Sequence, residues 1–148
     1  TGLGFFLLFD GMPCPSWMVR NPGFLNGFTT YPETLAADLR ELYHWIAEVM
    51  QTHGFSYEIL FIDDGSTDGS WEIIRGLASE HEEVRGIRFL KNFGKSQALH
   101  AGFKSAEGEI IITMDADLQD NPEEIPELYR MITEEGYELV SGWKNAGI

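Results

Sequence analysis

The sequence predicts an α/β fold built on a mostly parallel sheet, and three observations lead there. From Tyr57 onward, short apolar runs alternate with longer stretches of helical period, the pattern of strand–helix–strand crossovers. The run Glu109-Ile110-Ile111-Ile112-Thr113-Met114 is apolar and β-branched without alternation, as a strand covered on both faces should be. Two of the runs end in carboxylates, Asp63-Asp64 and Asp115-Ala116-Asp117. Open α/β sheets bind their ligands at the carboxyl ends of strands, so the fold and the site form one argument.

The elements follow in order. Residues 1–30 are broken by Pro13, Pro15, Pro22, Gly11, Gly23 and Gly27, and are expected to be irregular. The opening run Gly2 to Phe9 is too short to cross a bilayer. It lacks a basic leader and meets Asp10 at once, so no signal peptide is expected. A helix is predicted from Glu33 to Met50, because Leu39, Leu42, Tyr43, Ile46, Val49 and Met50 recur at three- and four-residue steps; Gly54 stops it. Tyr57 to Ile62 reads as a strand and Trp71 to Glu80 as a helix. Val84 to Leu90 is the next strand, and Ser96 to Ala106 a helix in which Gly102 marks close packing. After Glu109 to Met114, Asn121 caps a helix with Pro122 in its first position and Glu123 and Glu124 facing the positive end of the dipole; Gly136 ends it. Tyr137 to Gly142 is predicted as a fourth strand, beyond which the sheet edge would stand bare.

At 148 residues, with 43% hydrophobic and 13% aromatic content, the chain is one folded domain's worth. A net charge of -14 argues against a nucleic-acid surface or an anionic-membrane patch. An anionic substrate remains compatible, because a bound cation inverts the local field. Cys14 is the only cysteine, so there is no intrachain disulfide and no thiolate cluster, as suits a reducing compartment. The chain starts at Thr1 rather than Met, as a fragment or a processed product would.

Asp115 and Asp117 stand two residues apart at a strand end, so an extended backbone projects both to one side. With the Gln119 carbonyl they offer hard oxygen ligands, suited to Mg²⁺ or Mn²⁺. A polar turn is the plainer use of such a pair. Other metal readings fail on spacing: a calcium loop needs Gly where Asp120 stands and Glu where Pro126 stands. His44, His53, His81 and His100 are scattered and suggest no triad. In Asp63-Asp64-Gly65-Ser66-Thr67-Asp68-Gly69-Ser70 the hydroxyls and Asp68 suit helix capping, whereas Asp63 and Asp64 exceed what one cap needs. Lys95, at a helix start, has the wrong charge for the dipole unless an anion such as a diphosphate joins it; a solvated surface lysine is the alternative. Phe89 stands where a Walker loop needs its upstream glycine, and no G-x-G-x-x-G is present.

Taken in order, Phe61 to Ser70, Asn92-Phe93-Gly94-Lys95-Ser96-Gln97-Ala98-Leu99 with Ala101-Gly102-Phe103, Met114 to Asp120, Pro122 to Pro126 and Gly136 to Lys144 resemble the family 2 glycosyltransferases. The likeness is greatest to the polyprenyl-phosphate hexosyltransferases of the dolichyl-phosphate mannose synthase type. It implies a Rossmann-like (GT-A) three-layer sandwich, incomplete at the C-terminus. Residues 1–30 would be an irregular segment and 31–148 the nucleotide-sugar-binding part. It implies a GDP- or UDP-hexose donor, a polyprenyl-phosphate acceptor, transfer with inversion, and Mg²⁺ or Mn²⁺ on Asp115, Asp117 and Gln119. Asp117 would be the catalytic carboxylate. Donor contacts fall on Tyr31, Glu33, Ile62, Asp64, Lys95, Asp115, Ala116 and Asp117.

The family's opening Pro-x-Tyr-Asn-Glu is matched only loosely by Thr29-Thr30-Tyr31-Pro32-Glu33, after a poor strand at Gly23 to Phe28. The acceptor-phosphate cations and membrane segments of such enzymes would lie beyond Ile148, so membrane contact is expected only there, at the cytoplasmic face. A non-catalytic nucleotide- or metal-binding fragment is the rival. A haloacid-type phosphohydrolase is disfavoured by Gln119, where Thr or Val is expected.

Overall fold

The computed structural model describes residues 3–9, 32–116 and 118–142, with side-chain placements from Asp38 onward. Its strands are β1 (Leu3–Phe9), β2 (Tyr57–Asp63), β3 (Val84–Arg88) and β4 (Ile110–Asp115). The helices are α1 (Pro32–Thr52), α2 (Ser70–Glu80), α3 (Lys95–Ser105) and α4 (Ile125–Thr133), the last entered through a 3-10 turn at Pro122–Glu124. The strands form one parallel sheet in the order β3-β2-β1-β4.

Both faces of the sheet are covered. From β2, Ile59 and Phe61 enter a core with Leu39, Leu42, Ile46 and Met50 of α1 and with Ile74 and Leu77 of α2. The alternate residues Leu60 and Ile62 enter a second, smaller core with Ala98 of α3. Burial on both faces explains why β2 reads as an unbroken apolar run. Gly102 is buried as expected. Asn121 also behaves as expected: its side chain accepts a hydrogen bond from the Glu123 amide at 3.1 Å.

Two expectations need correction. Residues 1–30 are not irregular throughout, because Leu3–Phe9 is a strand, paired in parallel with β2 on one side and β4 on the other. Its run lacks alternation for the same reason β2 does, being a central strand of a parallel sheet. The weaker match at 23–28 lies outside the described residues. The other correction is at Tyr137 to Gly142, where no strand forms. Leu139 there is largely exposed, so neither face of the segment is buried, and a strand without a ladder partner leaves its amides unpaired. Among the described residues β4 is therefore an edge strand. An open groove of about 980 Å³ runs along it, lined by Ile110, Ile112, Leu128, Ile132 and Val140.

Candidate functional site at the strand tips

The sheet order places a topological switch beside β1. The helices α1 and α2 pack in the core on one face and α3 in the core on the other. The crossover from β1 and the crossover into β4 thus lie on opposite faces, the arrangement in which open α/β sheets take ligands between the carboxyl ends of the neighbouring strands. In the pairing, Phe9 stands opposite Asp63 and Leu8 opposite Asp115. Two strand spacings separate the β2 and β4 tips, roughly 10 Å.

Two loops at these tips lock together. The Asp63 side chain is fully buried, and its Oδ1 accepts from both the amide (2.8 Å) and the hydroxyl of Ser66. Asp68 serves Ser70 in the same double way at the start of α2. Asp64, also buried, accepts the Phe93 amide at 2.8 Å and the Gly94 amide at 2.9 Å, so it holds the β3–α3 loop in place. Gly65 lies against that loop with φ 79°; a Cβ there would meet the Lys91 carbonyl carbon at 2.5 Å. Only glycine tolerates both the torsion and the contact.

One charge at these tips is unsatisfied among the described residues: Asp63 Oδ2 is buried without a hydrogen-bond partner there. The closest cation is Arg88, whose Nε is 3.7 Å away and whose guanidinium sits over the Trp71 ring. Neither Arg88 nor this environment is legible in a motif, because both depend on which neighbour β2 takes.

At the β4 tip, Lys95 Nζ lies 2.9 Å from Asp115 Oδ1, with the side chains 46% and 33% exposed. The Asp115 amide donates to Asp120 Oδ2 at 3.0 Å, which folds the following loop back on the strand end. Asp120 is a site-shaping residue that the sequence pattern did not single out. Leu118 in this loop has φ 60°, a strained torsion of the kind that accumulates at functional turns.

The expected donor contacts are therefore distributed unevenly. Lys95 and Asp115 are together, Ala116 is buried beside them, and Gln119 is exposed on the same loop. Ile62 and Asp64 are buried. Glu33 stands in the first turn of α1, while Tyr31 and Asp117 lie outside the described residues. Among the described residues no three His, Cys, Asp or Glu side chains converge as a ready metal site. The oxygens of Asp115 and Gln119 suit a hard divalent cation, and the ammonium already on Asp115 marks a position that a cation can reach.

A sequence model described as Glycosyl transferase family 2 matches residues 28–146. An undecaprenyl-phosphate 4-deoxy-4-formamido-L-arabinose transferase of Aeromonas hydrophila is 46% identical over 86 residues, 57% of this chain and 26% of the relative. The protein of that name from Shewanella sediminis is 45% identical over 105 residues, 70% of this chain and 31% of the relative. The chain thus spans about a quarter to a third of these relatives. Among solved structures, the mannosyltransferase PcManGT of Pyrobaculum calidifontis, in complex with GDP-Man and Mn²⁺, superimposes with TM-score 0.61. The identity is 20%, over 89% of this chain and 32% of that one. The structure of TarS 1–349 from S. aureus gives TM-score 0.53 at 15% identity, over 92% of this chain and 33% of that one. These likenesses identify the architecture as the Rossmann-like GT-A fold.

Proposed function

The chain belongs to glycosyl transferase family 2, and from that premise we propose that it forms the nucleotide-sugar-binding part of a transferase acting on polyprenyl phosphate. The donor would be a GDP- or UDP-linked hexose, or the substituted arabinose that its relatives' names carry. Transfer would proceed with inversion, at the cytoplasmic face of a membrane. The observation that carries this reading is the Lys95–Asp115 pair at the switch point, a cation and a carboxylate held together and half open to solvent.

Asp115, Asp117 and Gln119 would hold Mg²⁺ or Mn²⁺, which when bound offsets the charge developing on the leaving diphosphate. Asp64, by fixing the Phe93 and Gly94 amides, sets the loop that leads into α3 and so positions Lys95. Lys95, at the start of α3, would share a donor diphosphate with the helix amides. Tyr31, Glu33 and the backbone of Ile62 and Ala116 would complete the nucleoside and donor contacts. A polyprenyl phosphate is already anionic at neutral pH, so it needs positioning more than deprotonation.

Mn²⁺ titration with and without GDP or UDP tests the metal reading. We expect weak binding alone and tighter binding with nucleotide, because phosphate oxygens complete a shell that the protein leaves open. Asp117→Asn should abolish the difference. Equal Mn²⁺ affinity in both conditions would overturn it.

A second reading, binding without transfer, is favoured by one observation. From Gly108 onward the basic residues are Arg130 and Lys144, and Arg130 is engaged by Glu127, Glu134 and Glu135. That leaves little positive charge in this stretch for a lipid phosphate. The 148-residue chain should therefore bind nucleoside diphosphate with metal and transfer no sugar by itself. Labelled polyprenyl-phosphate sugar formed at a rate that follows this chain, and lost in Asp117→Asn, would refute that.

A further inference from the structure

The β3–α3 loop exposes apolar side chains that nothing in the described fold covers. Leu90 is 99% exposed and Phe93 54%. The exposure does not come from a loose loop. Asp64 clamps the Phe93 and Gly94 amides, the Phe89 amide donates to the Asp63 carbonyl at 2.8 Å, and Gly65 packs directly under the Lys91 backbone. Phe89 stays partly buried in the smaller core and meets the Phe93 ring edge-on, with centroids 5.6 Å apart. Leu90 and Phe93 are thus held out of the protein by a backbone tied at both flanks.

Their company is basic. From Val84 to Ala106 the sequence holds Arg85, Arg88, Lys91, Lys95 and Lys104 and no acidic residue, in a chain whose net charge is -14. Arg85 is spent at the opposite end of the sheet on Glu58 and Glu107. Arg88 flanks the loop beside Asp63, and Lys95 faces Asp115. Lys91 lies over the Phe93 ring at 5.1 Å and makes no ion pair among the described residues. An exposed leucine, a half-exposed phenylalanine and an unpaired lysine on one braced loop match the chemistry of a bilayer interface. Apolar groups enter the acyl boundary there, and the ammonium meets anionic headgroups.

We propose that this loop, Phe89 to Gly94, is a membrane-contact element that docks the strand-tip face on an anionic lipid surface. The inference departs from the expectation that membrane contact lies only beyond Ile148. It extends the polyprenyl-phosphate reading but does not depend on it, since it requires an anionic bilayer and no sugar transfer. The charge asymmetry gives the contact a direction. The acidic remainder of the chain repels the same surface, but screening confines that repulsion to about 8–10 Å at physiological salt. A loop-first approach leads with Lys91, whereas Arg85 lies at the opposite end of the sheet.

Cosedimentation of the 148-residue chain with vesicles tests it, using phosphatidylcholine alone and phosphatidylcholine mixed equally with phosphatidylglycerol. Binding should require the anionic lipid and weaken as salt rises. Leu90→Asp should lower the partition coefficient roughly tenfold or more, and Lys91→Ala about fivefold. Both residues are exposed, so circular dichroism should find each variant folded. In Leu90→Trp, brominated acyl chains should quench the added fluorescence. Mn²⁺–nucleotide coupling measured on Leu90→Asp should be unchanged, which separates this proposal from the transferase reading. Absence of wild-type binding to the anionic vesicles would overturn the inference, as would equal binding by Leu90→Asp. A lipid-independent dimer that Leu90→Asp dissolves would overturn it too, by making the loop an interface between copies.

Discussion

At the amino end of the sheet, Glu58 accepts the Glu107 and Gly108 amides on one oxygen and pairs with Arg85 through the other. Arg85 also donates to the Ser105 carbonyl, and nearby Glu83 takes the Tyr43 hydroxyl at 2.7 Å. At the carboxyl end, Asp63 keeps an orphaned oxygen, Asp115 holds a lysine at a half-open position, and Leu90 stands in solvent. The same residue types serve two purposes. At the base Glu58, Glu83, Arg85 and Glu107 are partnered within the fold, which contributes stability. At the tips, charge and apolar surface stay available for something outside the chain, which costs stability locally.

The sharpest way to break this contrast is Gly65→Ala. The new Cβ would press on the Lys91 backbone and strain a torsion of 79°, so we expect a loss of about 3 kcal/mol together with loosening of the β3–α3 loop. Urea denaturation and amide exchange at Phe93 and Gly94 would measure both. A loss under about 1 kcal/mol would mean that the two loops are not locked together.

Glu58→Gln probes the base. The Glu58 and Arg85 side chains are 15% and 40% exposed, so solvent screening limits the expected loss to about 1–2 kcal/mol, with no change in nucleotide binding. Burial alone would raise the Glu58 carboxyl, but the Glu107 amide, the Arg85 guanidinium and the Gly108 amide outweigh it and hold it below the usual range. A lowered native value contributes stability that is fully present above the ordinary glutamate value of about 4.3 and is lost as pH falls through the native one. The gap between wild type and Glu58→Gln should therefore persist at neutral pH and close in acid. A gap that widened on acidification would contradict the assignment.

Lys95→Met probes the tip with a smaller effect. Without the ammonium that competes for Asp115, Mn²⁺ binding in the absence of nucleotide should strengthen about two- to fivefold, while the gain on adding GDP or UDP shrinks. Unchanged Mn²⁺ affinity would show that the lysine does not guard the carboxylate. Asp63→Asn should have the smallest effect on stability, within about 1 kcal/mol of zero. The amide keeps the acceptor for Ser66 and removes a buried charge that Arg88 alone opposes among the described residues, at 3.7 Å. A loss above about 2 kcal/mol in thermal or urea unfolding would make Asp63 a structural ion pair like those at the base.

The alternation of α1, β2, α2, β3, α3 and β4 was legible because each element carries its own period and its own punctuation. Leu39 to Met50 mark a helix face, Asn121 a cap, and Gly54, Gly65 and Gly136 sit at positive φ where turns fall. Asp115, Lys95 and Gln119 could be nominated as site residues from their types and their places after strands. β1 was missed, and Tyr137 to Gly142 was over-read as a strand, for one shared reason. A strand is completed by ladder partners distant in sequence, and local pattern does not reveal whether they arrive. Leu3–Phe9 finds two, at Tyr57–Asp63 and Ile110–Asp115, whereas Tyr137 to Gly142 finds none.

By itself, then, the sequence determined the α/β class, the strand-end carboxylates and the family, all of which reside in short contiguous patterns. Tertiary structure alone decided that β1 lies between β2 and β4, which puts the topological switch point beside Asp115. It also decided that Asp64 anchors a loop, that Lys95 reaches Asp115 and that Leu90 is left outside. Those outcomes join residues about 20 to 30 positions apart, and they follow from strand order and loop contact, which no local period encodes.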